Sequence, residues 1–134
     1  MSDMNKMVIE EFRENGGKVG GYFDNMTLLL LHTTGAKSGE PRVNPTAYIE
    51  DGDRLVIVAS KAGAPTNPDW YYNLAANPEV SVEAGTEQFD ALASVTEEPE
   101  RTELYDKVAS VYSGFDDYRR NTTRVIPVVT LTRR

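Results

Sequence analysis

The alternation of apolar and polar positions along this chain predicts a series of short β-strands. Unbroken apolar runs at 27–33 and 54–60 are typical of strands buried on both faces. Residues 43–50 alternate instead, which predicts one buried face, and Pro45 belongs at an edge or irregularity because it lacks an N–H group. Further strands are predicted at 79–84 and 87–96, as a hairpin around Gly85-Thr86, and at 125–131.

Helical spacing of apolar residues predicts helices beside these strands. The first covers 4–14 and ends at the Asn-Gly-Gly stop of 15–17. The second begins at Asn67-Pro68-Asp69, where Asn67 can cap the helix and Pro68 fits its first position, and it ends near 77–78. The third covers 97–112, with a buried face made of Leu104, Val108 and Val111.

The order of these elements predicts a mostly β fold with inserted helices, in the form of a small antiparallel barrel. Asp51-Gly52-Asp53 has the composition of a hairpin turn, so the second and third strands should be antiparallel neighbours. No predicted helix follows the early strands, which argues against a doubly wound dinucleotide-binding sheet. We expect one domain over residues 1–134, with 1–24 as an N-terminal helical extension.

The composition narrows the chemistry available to this protein. Its 134 residues are 40% hydrophobic and include no cysteine and one histidine, His32. Thiolate nucleophiles and thiolate metal sites are therefore excluded, and no metal site is expected. His32 follows a run of leucines and is interpreted as a core or barrel-end residue with no evident partner. If the protein is an enzyme, a bound cofactor should supply the reactive atoms.

Charge is distributed unevenly over a chain whose formal net charge is −7. Nine acidic residues lie between positions 79 and 106, against the single basic residue Arg101, which argues against general nucleic-acid binding. A basic tail follows, but its arginines form no regular stripe and are a weak indication of phosphate or membrane binding. They are Arg119, Arg120, Arg124, Arg133 and Arg134.

One stretch gathers positive charge on this acidic body. Residues 33–45 read Thr-Thr-Gly-Ala-Lys-Ser-Gly-Glu-Pro-Arg-Val-Asn-Pro, and residues 59–63 read Ala-Ser-Lys-Ala-Gly. Lys37, Arg42 and Lys61 supply cations, and the glycines allow backbone N–H groups to approach a ligand closely. The stretch predicts a site for a specific anionic ligand. Locally, a glycine-rich hairpin with a solvated lysine is an equally good interpretation.

Taken together, these motifs resemble the family of deazaflavin-dependent nitroreductases and quinone reductases, whose members use reduced 8-hydroxy-5-deazaflavin, coenzyme F420. The resemblance rests on T-T-G-x-K-S-G-x-P-R-x-N-P and A-S-x-x-G-x-x-x-N-P-x-W-Y, and it covers roughly residues 25–132. It implies a flavin-reductase-like split β-barrel, related to FMN-binding oxidases. That fold is compatible with the barrel predicted from the strand order.

The resemblance also implies which residues bind the coenzyme. Lys37, Ser38 and Arg42 would hold the phosphate of its tail, assisted by Lys61 and neighbouring N–H groups. Asn67, Trp70 and Leu74 are interpreted instead as a cap and an apolar pair of a packed helix, with Trp70 able to serve both roles. The deazaflavin or its linker would be lined by Asn44, Pro45, Ala59, Ser60, Gly63, Ala64 and Asn73.

An aromatic segment after the third helix is implied to cover the substrate. Tyr112, Phe115 and Tyr118 have three-residue spacing, and family members carry up to three tyrosines there. Phe115 therefore removes one hydroxyl that could bind a polar substrate, and aromatic core packing is the alternative interpretation. The candidate catalytic residues are Ser60, Tyr112 and Tyr118, which could hydrogen-bond charge that develops on the acceptor oxygen.

The resulting hypothesis is an oxidoreductase that passes a hydride from reduced coenzyme F420 to a quinone-like or nitroaromatic acceptor. A non-catalytic deazaflavin carrier and an FMN-dependent split-barrel oxidase are the alternatives. The sequence lacks the pattern of a secretory signal or a membrane-spanning run, which favours a cytoplasmic location. It leaves open the physiological acceptor, the direction of the reaction, the oligomeric state and any peripheral contact with a membrane.

Overall fold

The computed structural model describes residues 3–20 and 26–134, so the predicted N-terminal extension lies partly outside the described residues. The strands and three of the helices in these ranges follow in the order expected from the sequence, and one further helix was not predicted. They are α1 (Asp3–Glu14), β1 (Leu28–Thr34), β2 (Pro41–Asp51), β3 (Arg54–Val58), α2 (Asp69–Ala76), β4 (Glu79–Ala84), β5 (Glu87–Val95), α3 (Glu100–Val111), α4 (Gly114–Arg120) and β6 (Val128–Arg133).

The strands close into one antiparallel barrel in the order β1-β2-β3-β6-β5-β4, which confirms the predicted architecture. β1 pairs with β2 on one side and with β4 on the other. Leu29 and Leu31 lie in the barrel interior, whereas Leu28 and Leu30 pack outside it beneath α1. Both faces of β1 are therefore covered, which explains its unbroken apolar run.

β2 changes partners along its length. It pairs with β1 over residues 41–47 and with β3 over residues 48–51, where the turn at Gly52 (φ +62°) reverses the chain. Pro45 lies in the first part, opposite Leu30 of β1 and before the pairing with β3 begins. A residue without an N–H group is tolerated at such a change of pairing. The predicted hairpin is confirmed, and Pro45 lies where β2 has a partner strand on one side only, as expected of an edge position.

Helices cover the barrel from outside and at one end. α1 packs Val8, Ile9 and Phe12 against β1 and β2. α3 and α4 pack over residues of β2, β3 and β6. α2 contributes Trp70 and Leu74 to the core inside the barrel, which confirms that this apolar pair packs. The start of α2 and the helix α4 both lie near the C-terminal end of β3.

The cap predicted for α2 is wrong. The helix begins at Asp69 with Pro68 in the cap position, and no side chain caps it. The Oδ1 atom of Asn67 instead accepts a hydrogen bond of 2.6 Å from Nη1 of Arg124. A guanidinium brought in by the tertiary fold competes successfully with the neutral N–H group of a helix end, because hydrogen bonds to charged groups are stronger.

The C-terminal third differs from the prediction in three ways. α3 starts at Glu100, and Val111 is 58% exposed, because the buried stripe instead includes Tyr105 and Ala109. The aromatic segment at 113–121, for which no helix was predicted, contains the helix α4 over Gly114–Arg120. Its acidic first turn and basic last turn suit the helix dipole. The last strand begins at Val128, after Pro127, and extends to Arg133.

His32 has a partner that the sequence did not reveal. Its Nε2 atom lies 2.5 Å from Oε2 of Glu83 on β4, and the same carboxylate accepts from Arg13 of α1 at 2.9 Å. The Arg13 guanidinium, and then His32, hold the pKa of Glu83 below its usual range. The partner was missed because Glu83 is far away in sequence and comes close through the pairing of β1 with β4. This cluster ties α1 to the barrel.

The basic tail does not form an unpaired basic surface within the described part of the chain. Arg119, Arg120, Arg133 and Arg134 each form an ion pair with a carboxylate, and Arg124 binds neutral acceptors. Each of the five arginines therefore has a partner within the protein. Among the described residues, the longest apolar stretches of helix fall short of what a bilayer crossing requires.

Candidate functional site

A cleft of about 210 Å³ opens where β2, the end of β3, the start of α2 and α4 meet. Its walls are largely apolar, and no aspartate or glutamate is found among the described residues that line it. This composition suits a ligand with an apolar ring and a polar or anionic edge. The lining residues are Met26, Pro45, Thr46, Ala47, Val58, Ser60, Lys61, Ala62, Pro68, Trp70, Phe115 and Tyr118.

The polar edge of the cleft is a tight turn of unusual backbone conformation, Ser60–Gly63. Ser60 is in the right-handed helical region, and the next three residues have φ of +48° (Lys61), +54° (Ala62) and +82° (Gly63). Non-glycine residues rarely adopt positive φ, and where they do the surrounding structure holds them there, often at functional sites. A right-handed residue followed by a left-handed one also directs successive N–H groups to the same side, an arrangement that binds anions.

The hydrogen bonds of this turn leave some of its N–H groups for a ligand. Gly63 donates to the Ser60 carbonyl at 3.0 Å, and Ala64 donates to the Lys61 carbonyl at 3.1 Å. Among the described residues, no acceptor is bonded to the N–H of Lys61 or Ala62. The Lys61 ammonium is exposed and bonds Thr66 Oγ1 at 3.3 Å. The turn therefore offers two backbone donors and one exposed cation at the cleft.

Arg124, from the segment between α4 and β6, holds this turn from behind. Its Nη2 atom donates to the carbonyls of Ala59 (3.1 Å) and Ser60 (2.8 Å). Its Nε donates to the carbonyl of Ala64 at 2.8 Å, and Nη1 donates to Asn67 Oδ1. Burial lowers the pKa of Arg124 from its usual value. One guanidinium thus binds acceptors at both ends of the loop between β3 and α2.

A second loop, residues 35–40 between β1 and β2, carries the other predicted anion-binding residues. It is closed by hydrogen bonds from Gly35 N to Glu40 O (2.8 Å) and from Gly39 N to Gly35 O (3.0 Å). Ser38 is exposed, and its Oγ accepts from the Glu40 N–H at 3.2 Å. Lys37 is also exposed and forms no ion pair with any described residue. This loop presents the side chains of Lys37 and Ser38 to solvent.

Asn73 of α2 pins that loop to the rest of the protein. Its Oδ1 accepts from the Ala36 N–H at 3.0 Å, and its Nδ2 donates to Thr33 Oγ1 at 3.2 Å. Asn73 is buried, so its amide is committed to these two contacts. The structure therefore uses this predicted coenzyme residue to position the loop.

Arg42 connects the loop to the cleft along β2. Alternate residues of a strand face the same side, so Arg42 and Thr46 share one face, about 13 Å apart along the strand. Thr46 lines the cleft, and Arg42 is exposed with a long contact of 3.4 Å to Glu40. A ligand that is bound by its ring in the cleft and carries an extended anionic tail could reach Arg42.

The aromatic segment forms one wall of the cleft, but its members differ in role. Phe115 and Tyr118 line the cleft and contact each other edge to face, with ring centroids 5.1 Å apart. Tyr112 lies outside the lining, and its hydroxyl accepts from the Thr27 N–H at 3.1 Å and donates to the Tyr48 carbonyl at 3.0 Å. Behind them, Tyr105 donates to the Phe115 carbonyl at 2.7 Å, and burial raises the pKa of Tyr105 to about 12.

The predicted site residues therefore fall into three groups. The first lines the cleft: Pro45, Ser60, Lys61, Phe115 and Tyr118. The second lies on the neighbouring loop and strand: Lys37, Ser38, Arg42 and Asn44. The third lies outside the lining and supports it: Ala59 in the barrel core, Ala64 under Arg124, Asn73, Tyr112, and Gly63, whose close neighbour is the backbone of Tyr118 on α4.

Sequence reasoning missed several residues of the site. Met26, Ala47, Val58 and Ala62 line the cleft, yet as ordinary apolar residues they carry no chemical signal. Arg124 was counted as part of the basic tail. The one signal in the sequence is that the segment around Arg124 has no acidic residue, so that neutral acceptors such as carbonyl groups are left to bind its guanidinium.

Comparisons with known proteins agree on one family. A family model described as F420H(2)-dependent quinone reductase matches residues 4–133. An F420H(2)-dependent quinone reductase of Mycobacterium tuberculosis is 40% identical over 127 residues, covering 92% of this chain and 85% of the relative.

Solved structures lead to the same family and fold. An F420-H2 dependent reductase is 38% identical with a TM-score of 0.71, over 78% of this chain and 92% of that chain. A second structure, a domain-swapped dimer, is 33% identical with a TM-score of 0.73, over 97% of this chain and 99% of that one. The expected flavin-reductase-like split barrel is confirmed.

Proposed function

This chain belongs to the family of F420H(2)-dependent quinone reductases, and we propose that the cleft beside the Ser60–Gly63 turn is where its coenzyme meets its acceptor. The protein is an oxidoreductase whose cofactor is coenzyme F420, and the bound coenzyme supplies the hydride that a quinone accepts. Membership of this family supports an F420-dependent reductase over the two alternatives, an FMN-dependent oxidase and a non-catalytic carrier. The observation that carries our proposal is an apolar cleft that ends in two backbone N–H donors for which the described residues provide no acceptor.

The residues present fit such a coenzyme. Pro45, Trp70 and Phe115 give the cleft apolar walls suited to an aromatic ring system. The N–H groups of Lys61 and Ala62 suit the electron-rich oxygen atoms at the edge of such a ring. Lys37, Ser38 and Arg42 suit the phosphate of the tail, because lysine and arginine bind phosphate as a point charge and a bidentate fork.

The protein's contribution to hydride transfer is to orient the reactants and to stabilise charge. Holding donor and acceptor together in one cleft removes most of the entropic cost of their encounter. Ser60 and Tyr118 line that cleft and can donate hydrogen bonds to an acceptor oxygen as negative charge develops on it. No protein nucleophile is needed, in accord with a chain that has no cysteine and a single histidine.

Tyr112 has a positioning role in this proposal. Its hydroxyl bridges the backbone of Thr27 and Tyr48, and its ring lies 6.1 Å from that of Phe115. It therefore fixes the base of the aromatic wall, while Tyr118 is the tyrosine at the cleft. This division assigns the catalytic hydrogen bond to Tyr118 and to Ser60.

We extend the acceptor range to nitroaromatic compounds, which share a flat apolar ring and electron-poor oxygen-bearing groups with quinones. The apolar lining with Phe115 at its wall supports this extension. We also propose that the protein works in the cytoplasm, where a reduced coenzyme and diffusible acceptors are both accessible.

The proposal is tested by changing Tyr118 to Phe. We expect turnover with menadione and with a nitroaromatic acceptor to fall while coenzyme affinity stays near the wild-type value, because the hydroxyl acts on charge in the transition state. Phe115→Tyr serves as the matched control and should be tolerated. A Tyr118→Phe protein with full activity on both acceptors, or one that loses only thermal stability, would contradict the assignment.

A further inference from the structure

Arg124 stands out because its guanidinium is bound entirely by neutral acceptors. It donates to three backbone carbonyls and one side-chain amide, at 2.6–3.1 Å, and forms no ion pair with any described residue. The other arginines of the C-terminal tail all pair with carboxylates. A partly buried cation without a counter-ion costs solvation free energy, so its position requires an explanation.

The first effect of these contacts is to fix the backbone beside the cleft. Ala59 and Ser60 lie where β3 ends, and Ala64 and Asn67 lie where the loop approaches α2. One planar guanidinium that spans all four holds the two ends of the loop at a set separation. The left-handed residues Lys61 and Ala62 lie between those ends, and positive φ persists only where the surroundings enforce it.

The second effect is electrostatic. The carbonyls of Ala59 and Ser60 belong to the peptide groups whose N–H donors are those of Ser60 and Lys61. A cation bonded to the carbonyl oxygen polarises the peptide and makes its N–H a stronger donor. Since no carboxylate neutralises Arg124 among the described residues, its positive charge extends to the polar edge of the cleft.

We propose that Arg124 is a positioning residue for hydride transfer: it builds the Ser60–Gly63 turn and gives that turn the positive potential with which it binds the electron-rich edge of the coenzyme. This inference rests on the proposed function of the cleft. Arg124 acts through the peptide groups of residues 59–61 and lies outside the cleft lining. Both the positive charge of Arg124 and the planar geometry of its guanidinium contribute to this role.

Two variants separate these contributions. Arg124→Met removes the charge and all four hydrogen bonds, and we expect coenzyme F420 to bind at least about tenfold more weakly. Asn67→Asp leaves Arg124 and its geometry in place but gives it a carboxylate partner at the atom that now accepts its Nη1 hydrogen bond. We expect this variant to melt at or above the wild-type temperature and yet bind the coenzyme several-fold more weakly, because the charge felt by the turn is neutralised.

Arg101→Met is the matched control. Arg101 also donates to a backbone carbonyl of the same connecting segment, that of Ile126 at 3.0 Å, but it pairs with Glu98 and lies outside the cleft lining. Loss of this arginine should lower the melting temperature and leave coenzyme affinity unchanged. The control thus reports what removal of a carbonyl-binding arginine does to stability alone.

The experiment is a fluorescence titration of each purified protein with coenzyme F420, beside a thermal melt and steady-state kinetics with menadione. Weakened binding in Asn67→Asp at undiminished stability supports the inference, and this variant decides the matter even if Arg124→Met fails to fold. Wild-type affinity in Asn67→Asp, or an affinity that follows the melting temperature across all variants, overturns it. Absence of coenzyme binding to the wild type and to Arg101→Met would instead overturn the proposed function, and the inference with it.

Discussion

Two loops carry the predicted anion-binding residues, and the protein holds them in different ways. The loop of residues 35–40 closes on its own backbone, is pinned at Ala36 by Asn73, and leaves Lys37 and Ser38 exposed. The loop of residues 59–67 contains three consecutive left-handed residues, 61–63, and is spanned by the guanidinium of Arg124. The comparison indicates that a loop for an extended anionic tail can rely on exposed side chains, whereas a loop beside the reacting ring needs a fixed backbone.

The strongest test of this contrast compares one glycine in each loop. Gly63 and Gly39 both have positive φ, +82° and +71°. A Cβ at Gly63 would lie 3.1 Å from the Tyr118 carbonyl oxygen and 3.2 Å from its Cα, whereas a Cβ at Gly39 would meet open space. We expect Gly63→Val to lower the free energy of unfolding by about 3 kcal/mol or more, through backbone strain together with displacement of α4.

Gly39→Val is the control, since it introduces the same side chain at a similar backbone angle without a neighbour. It should cost about 1–2 kcal/mol, from backbone strain alone. Thermal and denaturant melts give the difference between the two losses. Equal losses of unfolding free energy in the two variants would show that the close packing of Gly63 against α4 adds nothing to stability.

The charges of the first loop provide the next largest effect, and it concerns binding instead of folding. Lys37→Ala and Arg42→Ala should each weaken coenzyme binding by about ten- to a hundredfold, or ~1.5–3 kcal/mol, through loss of a charge-assisted contact to the tail. Both residues are exposed, so the melting temperatures should stay near that of the wild type.

Lys18→Ala is the matched control, because Lys18 is an exposed lysine that follows α1. Its affinity for the coenzyme should equal that of the wild type in the same titration. Unchanged affinity in both Lys37→Ala and Arg42→Ala would remove the phosphate assignment of this loop.

Asn73 tests how firmly the first loop is pinned. Asn73→Ala should lower the free energy of unfolding by about 1–3 kcal/mol, because it leaves the Ala36 N–H and Thr33 Oγ1 without their partner. Thr33→Val, which removes only the contact to Nδ2, should cost less and should leave the loop N–H bonded. Denaturant melts of the two variants measure the difference, and equal losses would mean that Asn73 does not hold the loop.

Much of the fold was predictable, because its signals are local. The apolar run of β1 and the Asp51-Gly52-Asp53 turn indicated strand positions and pairing directly, and the barrel followed from the strand order. The predicted cap of α2 and the predicted buried face of α3 were wrong, because tertiary contacts determine both. Asn67 looks like a cap in sequence, but Arg124 binds it, and Val111 has a periodic position, but α3 packs through Tyr105.

The candidate site was predictable only as far as residue type carries chemistry. Glycine, lysine and serine motifs led to both loops, and the family resemblance implied a substrate-covering role for Phe115 and Tyr118. Nothing local distinguishes Tyr118, at the cleft, from Tyr112, whose hydroxyl is bound by backbone groups. The role of Arg124 depends on carbonyl groups about 60 residues away in sequence, which no local motif records.

The smallest expected effect concerns a contact outside both loops. The pKa of Glu83 is lowered, by Arg13 first and then by His32, from an ordinary value of 4.5. A carboxyl whose pKa is lower in the folded state stabilises the fold above its unfolded pKa, and this contribution is lost as the pH falls below 4.5 through the folded pKa. Since Arg13 is half-exposed, the contribution should be below about 1 kcal/mol.

Glu83→Gln should therefore flatten the acid side of the stability profile without changing coenzyme affinity. Glu79→Gln is the control on the same strand, where the carboxylate forms an exposed pair with Arg134. Melts from neutral to acid pH compare the two variants. An acid profile of Glu83→Gln that matches the wild type would show that the cluster at α1 adds no pH dependence.

The central claim is that the cleft beside the Ser60–Gly63 turn carries hydride transfer from coenzyme F420 to a quinone. The most direct measurement mixes the purified protein with chemically reduced coenzyme and menadione and follows the absorbance of the oxidised coenzyme. The account predicts oxidation that depends on the protein, saturates in both reactants, and falls in Tyr118→Phe and Arg42→Ala through kcat and coenzyme affinity respectively. Tight coenzyme binding with oxidation no faster than in the absence of protein would contradict it.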